Sequence, residues 1–143
     1  MRLLGTITLP GVAKSAPQAR TFVRRLAPHV EREAMDDIVL CVDELVANAC
    51  EHTSSGAGGQ VTLIVSAARN VMRVTVIDEG GTHGKPCVRT DSWSEHGRGL
   101  LLVEALSLGW GSHAALNGTA VWAEFRTGPP SAPPTGQLID WSC

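Results

Sequence analysis

Three polar residues, Glu44, Asn48 and His52, recur at four-residue steps inside "DELVANACEH", a stretch otherwise suited to a buried helix. That spacing places them on one stripe. At roughly 100° per residue, the stripe runs along the shoulder of the apolar face made by Ile38, Val39, Cys41, Val42, Leu45, Val46 and Ala49. A solvated face lies opposite a core, not against it. The Asn48 amide can offer a hard oxygen to Mg²⁺, and a carboxylate one turn away, Glu44, can take a proton from a nucleophile. A helix whose polar edge simply meets the core boundary would show the same stripe, so the spacing alone leaves both readings open.

Three further motifs carry chemistry of the same kind. In "VIDEGG", Asp78 ends an apolar, β-branched run and Gly80 follows it. Such a carboxylate is commonly a turn residue; it can also accept a hydrogen bond from an exocyclic amine, with glycine letting a flat base approach the backbone. In "HGRGLLLV", Gly97 and Gly99 flank a helix start, where unpaired N–H groups and the helix dipole favour phosphate. The motif has no GK[ST] and follows no strand, so it is neither a Walker loop nor a Rossmann turn. The fourth, "NGTAVWAEF", reads by itself as a hairpin turn.

The elements that must position these residues follow from pattern. "RLLGTITL" alternates and gives a first strand ending at Pro10. "KSAPQARTFVRRLAPHVERE" gives a helix with Ser15 as N-cap, Gln18 completing a capping box, Phe22, Val23 and Leu26 inward, and Pro28 ending or kinking it. Asp36 or Asp37 is expected to cap a second helix over about 38 to 52. "QVTLIVSA" and "VMRVTVID" are strands joined by a turn near Arg69-Asn70. Gly81 to His96 has no periodicity and is long enough for a lid or binding loop. A glycine-opened helix follows over about Arg98 to Leu108. "LGWGSHAAL" and "TAVWAEFRT" form a hairpin around Asn117-Gly118. The order predicts an α+β fold, a two-layer α/β sandwich with a mostly antiparallel sheet and helices on one face. The domain is expected over residues 1–127, with a Pro-rich C-terminal tail over 128–143.

Composition narrows the classes. The chain has 143 residues, 43% of them hydrophobic and 18% charged, which describes one globular domain with a substantial core. A formal net charge of −2 argues against direct nucleic-acid binding. No apolar run approaches the roughly 20 residues that span a bilayer, and "MRLLGTITLPG" is too short and alternating for a secretory signal. The four cysteines form no CxxC pair and no Cys or His pair has zinc-ligand spacing, so reduced thiols and a cytoplasmic protein are expected.

In order and spacing, Glu44-x-x-x-Asn48, Asp78-x-Gly80, Gly97-Arg98-Gly99-Leu100 and Gly118-Thr119 resemble the four boxes of the Bergerat (GHKL-type) ATP-binding fold. Gyrase-type topoisomerases, histidine kinases and anti-sigma-factor serine kinases share that fold. "ELVANACEH" and "GRGLLLVEALSLGWG" look most like the small anti-sigma-factor serine/threonine kinases and their stand-alone bacterial relatives, over about Leu3 to Phe125. The resemblance implies a histidine-kinase-like ATPase domain binding ATP and Mg²⁺, with Asn48 as metal ligand and Glu44 as catalytic base. Asp78 would bind the adenine amino group, with Gly80 beneath the base and Thr119 completing the pocket. Gly97, Arg98 and Gly99, followed by Leu100, would close over the phosphates, and Gly81 to His96 would be a lid that is mobile without nucleotide. His52 would pack at its helix end. A common family version has a proline and a further glycine after the Asp-x-Gly; this chain departs from it and reads "DEGGTHGKP".

The activity so implied is that of a regulatory serine/threonine protein kinase, phosphorylating an anti-sigma-factor antagonist protein, with a sigma factor as further partner. No membrane partner is implied; a homodimer is compatible, since such relatives often dimerise. A non-catalytic, ATP-sensing binding module in a transcription-regulating partner switch is the competing reading. A histidine kinase is disfavoured, because the chain has no room for a dimerising hairpin bearing a phospho-accepting histidine. A structural domain without nucleotide would make the motif order a coincidence.

Overall fold

Five runs with side chains alternating between a covered and an open face become β1 (Arg2–Pro10), β2 (Gln60–Ala68), β3 (Val71–Asp78), β4 (Gly109–Ala115) and β5 (Gly118–Arg126). The computed structural model describes residues 1–51, 59–79, 95–115 and 118–128. Every strand pair is antiparallel, and the order across the sheet is β1-β2-β3-β5-β4. On one face Val61, Leu63 and Val65 of β2, Met72, Val74 and Val76 of β3, and Val121, Ala123 and Phe125 of β5 are buried. Helices α1 (Ala16–Leu26), α2 (Arg32–Glu51) and α3 (Glu95–Leu106) cover that face. Ile38, Val42, Leu45 and Val46 of α2 complete the core, each burial contributing about 1.5–3 kcal/mol. This is the α+β two-layer arrangement expected from the sequence, with a fully antiparallel sheet.

Local chemistry explains the joints. Asn70 in the β2–β3 turn has φ 60°, a left-handed value that asparagine tolerates, and its carbonyl accepts the Thr127 N–H at 2.9 Å. β1 shifts register between Leu3 and Gly5. There Leu26 and Phe22 of α1 lie 3.0–3.2 Å from where a side chain at Gly5 would begin, so glycine lets the helix seat on the edge strand. α1 stops at Leu26, two residues before Pro28, as expected.

Four expectations need correction. Ser15 precedes α1 but makes no capping hydrogen bond. A 3₁₀ turn over Ala13–Ser15 already places its backbone in the helical region, and its hydroxyl donates to Pro10 O at 2.6 Å instead. α2 begins at Arg32, well before Asp36 and Asp37, because Met35 is itself a core residue that extends the apolar phase upstream; the Met35 N–H donates to Glu31 O at 2.9 Å. α3 begins at Glu95 and ends at Leu106, so Gly97 and Gly99 lie inside its first turns. In the closing hairpin Ala115 pairs with Gly118, which makes Gly118 the first residue of β5 and not a turn residue.

Candidate functional site

Ser15, Asn48 and Asp78 are the buried polar side chains among the described residues. Burying such groups costs free energy unless they are satisfied. Ser15 bonds to Pro10, and neither Asn48 nor Asp78 is among the buried groups left without a partner. The other two are residues that the motifs single out.

Asp78 is the last residue of β3 and 7% exposed. The register that pairs Ile77 with Ala120 brings Thr119 of β5 alongside, and the Thr119 main-chain N–H donates to Asp78 Oδ1 at 3.1 Å. Alternation along β3 turns Asp78 to the same side as Met72, Val74 and Val76, into the space under the helices. The carboxylate is therefore held in place in a shielded setting, where an accepted hydrogen bond from a ligand is worth more than at the surface.

Asn48 lies on the buried side of α2 at 9% exposed, and Glu44, one turn earlier, is half-buried. The Glu44 carboxyl has its pKa raised above the ordinary 4.5, first by burial, then by the charges of Asp43 and Glu51. A base whose pKa moves towards working pH is better matched to taking a proton. Asp43 does not act unopposed, since Arg20 Nη1 of α1 donates to Asp43 Oδ1 at 2.7 Å. On the other side, Glu44 Oε2 occupies the space where a side chain at Gly99 of α3 would begin.

The structure thus joins Glu44 to Gly99 and Asp78 to Thr119, two couples drawn from four separate sequence motifs. Leu100, next along α3, is 4% exposed and part of the core. Gly97 and Arg98 belong to the first turn of α3, where main-chain N–H groups lack intrahelical partners. His52, Gly80, residues 81–94 of the expected lid and the tail from 129 lie outside the described residues; Glu95 and His96, counted in the lid by sequence, belong to α3. Two features escaped the motif reading. The Arg20–Asp43 pair spans 23 residues with no spacing signal, and the Glu44–Gly99 contact depends on how two helices pack.

Among the described residues no group of three or more His, Cys, Asp or Glu could hold a metal. Mg²⁺ needs no such group, since it keeps several waters and is held by few protein oxygens together with substrate phosphates. Asn48, a buried neutral oxygen donor, fits such a role. Cys41 does not enter this chemistry. It is buried and free, and burial, with the charges of Asp37 and Glu44, pushes its thiol up to about 12. Cys50 is also free. No helix among the described residues is long and apolar enough to cross a membrane.

Residues 9–125 match the family model described as "Histidine kinase-like ATPase domain". The fold is similar to the histidine kinase domain of the blue-light activated histidine kinase from Erythrobacter litoralis EL346. That match has TM-score 0.56 and 22% identity, covering 83% of this chain and 62% of that one. A second structure of that Erythrobacter litoralis kinase gives TM-score 0.57 at 22% identity, covering 80% of this chain and 41% of that one. The chain therefore spans less than two thirds of either. No curated protein sequence matches it.

Proposed function

The chain belongs to the histidine kinase-like ATPase domain family, which implies ATP binding, and on that premise we propose a regulatory serine/threonine protein kinase of the anti-sigma-factor type. It uses Mg-ATP to phosphorylate an antagonist protein and also binds a sigma factor. The observation that carries this reading is Glu44, a half-buried carboxylate with a raised pKa, one helical turn from the buried Asn48 amide. A domain that only bound nucleotide would not need a carboxylate base beside that amide.

In this reading Asp78, held by Thr119, accepts the adenine amino group, and the first turn of α3 offers its N–H groups to the phosphates. Asn48 supplies the protein oxygen for Mg²⁺, which when bound neutralises phosphate charge. Glu44 takes the proton of the substrate serine or threonine hydroxyl as that oxygen bonds to the γ-phosphorus and the bond to ADP breaks. Positioning and charge neutralisation do most of the work in such transfers.

The test is incubation with labelled ATP and candidate antagonist proteins from the same genome, for wild type and Glu44→Gln. The expected result is label on one antagonist, reduced by on the order of 10²–10⁴-fold in the variant. Nucleotide binding with no transfer to any candidate would favour the ATP-sensing module. Transfer by Glu44→Gln at the wild-type rate would remove Glu44 from the mechanism.

A further inference from the structure

Gly99 lies inside α3, where glycine is less favourable than alanine. Its φ is outside the left-handed region, so no backbone requirement accounts for it. Space does. A Cβ at this position would collide with Glu44 Oε2, and would sit 3.3 Å from Cδ and 3.5 Å from Cβ of the same side chain. The first of these two distances is tight and the second is ordinary contact, so the conflict is concentrated on the carboxyl group. α3 and α2 pack closely here, and the slot between them is as wide as one carboxyl group and one absent side chain allow.

We propose that Gly99 is a positioning residue for Glu44: its missing side chain forms the slot that holds the carboxylate between α2 and α3. The proposal rests on the reading of Glu44 as the base, and it adds a role for Gly99 distinct from contact with phosphate. The obstructing atom is the free end of a flexible side chain. An alanine at position 99 therefore displaces the carboxylate towards solvent and leaves the fold standing.

The experiment follows the Glu44 carboxyl carbon by NMR through a pH titration, in wild type, Gly99→Ala and Gly109→Ala. Gly109 has nothing within 4 Å of where its side chain would begin and serves as the control. The expected result is a raised Glu44 titration in wild type and Gly109→Ala, and a return towards the ordinary carboxylate range in Gly99→Ala. An unchanged Glu44 titration in a folded Gly99→Ala protein overturns the proposal. Should that protein fail to fold, Gly99→Ala is made with Glu44→Ala; recovery of folding in the double variant supports the slot, and continued failure overturns it. These measurements need no phosphoryl transfer, so they decide the positioning role even where the kinase reading fails. In a chain that does transfer phosphate, Gly99→Ala lowers the rate in the wild-type background and adds no further loss to Glu44→Gln, as for groups acting as a unit. Equal losses in both backgrounds would place Gly99 in nucleotide contact and overturn the proposal.

Discussion

The Thr119 main-chain N–H donates to Asp78 Oδ1 across 3.1 Å, so the strand pairing that builds the centre of the sheet also fixes the carboxylate at its rim. Asp78→Asn can keep this bond through its carbonyl oxygen, which preserves the fold. Its amide nitrogen then presents donors where the carboxylate presented an acceptor. Hydrogen bonds to charged groups contribute about 1.5–3 kcal/mol, so ATP and ADP affinity should fall roughly 10- to 150-fold. Calorimetry with ATP and GTP checks this, and equal loss for both would leave Asp78 as a turn residue only.

Glu44→Gln should change stability as well as chemistry. The folded protein holds the Glu44 proton more tightly than an ordinary carboxyl does. The stability this contributes is complete below the ordinary value of 4.5 and is lost as pH rises through the raised folded value. A neutral glutamine escapes that loss. The variant should therefore unfold at a higher temperature than wild type at neutral pH, with the gap shrinking as pH falls towards 4.5. A gap that is constant with pH would show that Glu44 titrates normally in the folded chain.

Asn48→Ala separates the metal from the proton. With Asn48 in its proposed role as metal ligand, its removal should weaken Mg-nucleotide binding by at least the roughly 10–100-fold that even outer-shell partners of a metal cost. Binding without Mg²⁺ should change less. The substitution also removes an amide that is expensive to bury, so unfolding temperature should fall little compared with truncation of a neighbouring core residue such as Leu45. Calorimetry with and without Mg²⁺, beside thermal unfolding, tests both halves.

What was legible in the sequence, and what was not, divides along the same physical line. β2, β3 and their turn could be read because alternating branched residues and a turn asparagine are local signals, and Asn70 does adopt the left-handed backbone. The order of the chemistry-bearing motifs was legible for the same reason. The starts of α2 and α3 were not. Asp36 and Asp37 look like caps, yet the burial of Met35 carries the helix upstream past both. Gly97 and Gly99 look like a helix entrance, yet Gly99 answers to a carboxylate on another helix. Ser15 had the sequence of a capping box, but the preceding 3₁₀ turn had already committed its backbone. For α2 and for Gly99 a contact between elements overrode a correct local preference; for Ser15 the adjoining turn did so.

The Arg20–Asp43 ion pair offers a last test, because Asp43 is the chain neighbour of the proposed base. With side chains 36% and 32% exposed, the pair should contribute less than about 1 kcal/mol to stability. Its electrostatic effect on Glu44 is more specific. Asp43 is among the charges that raise the Glu44 pKa, and Arg20 stands against Asp43 at 2.7 Å. Arg20→Met keeps an apolar stem of similar reach and removes the countercharge, leaving the Asp43 field uncompensated. The Glu44 titration should then move further up. In a chain that transfers phosphate, the acidic limb of the pH–rate profile should shift to higher pH by the same amount. Raising the salt concentration should shrink both shifts, since charges this exposed are screened. A Glu44 titration that does not move in Arg20→Met would mean that the Arg20 countercharge does not act on this carboxylate through Asp43.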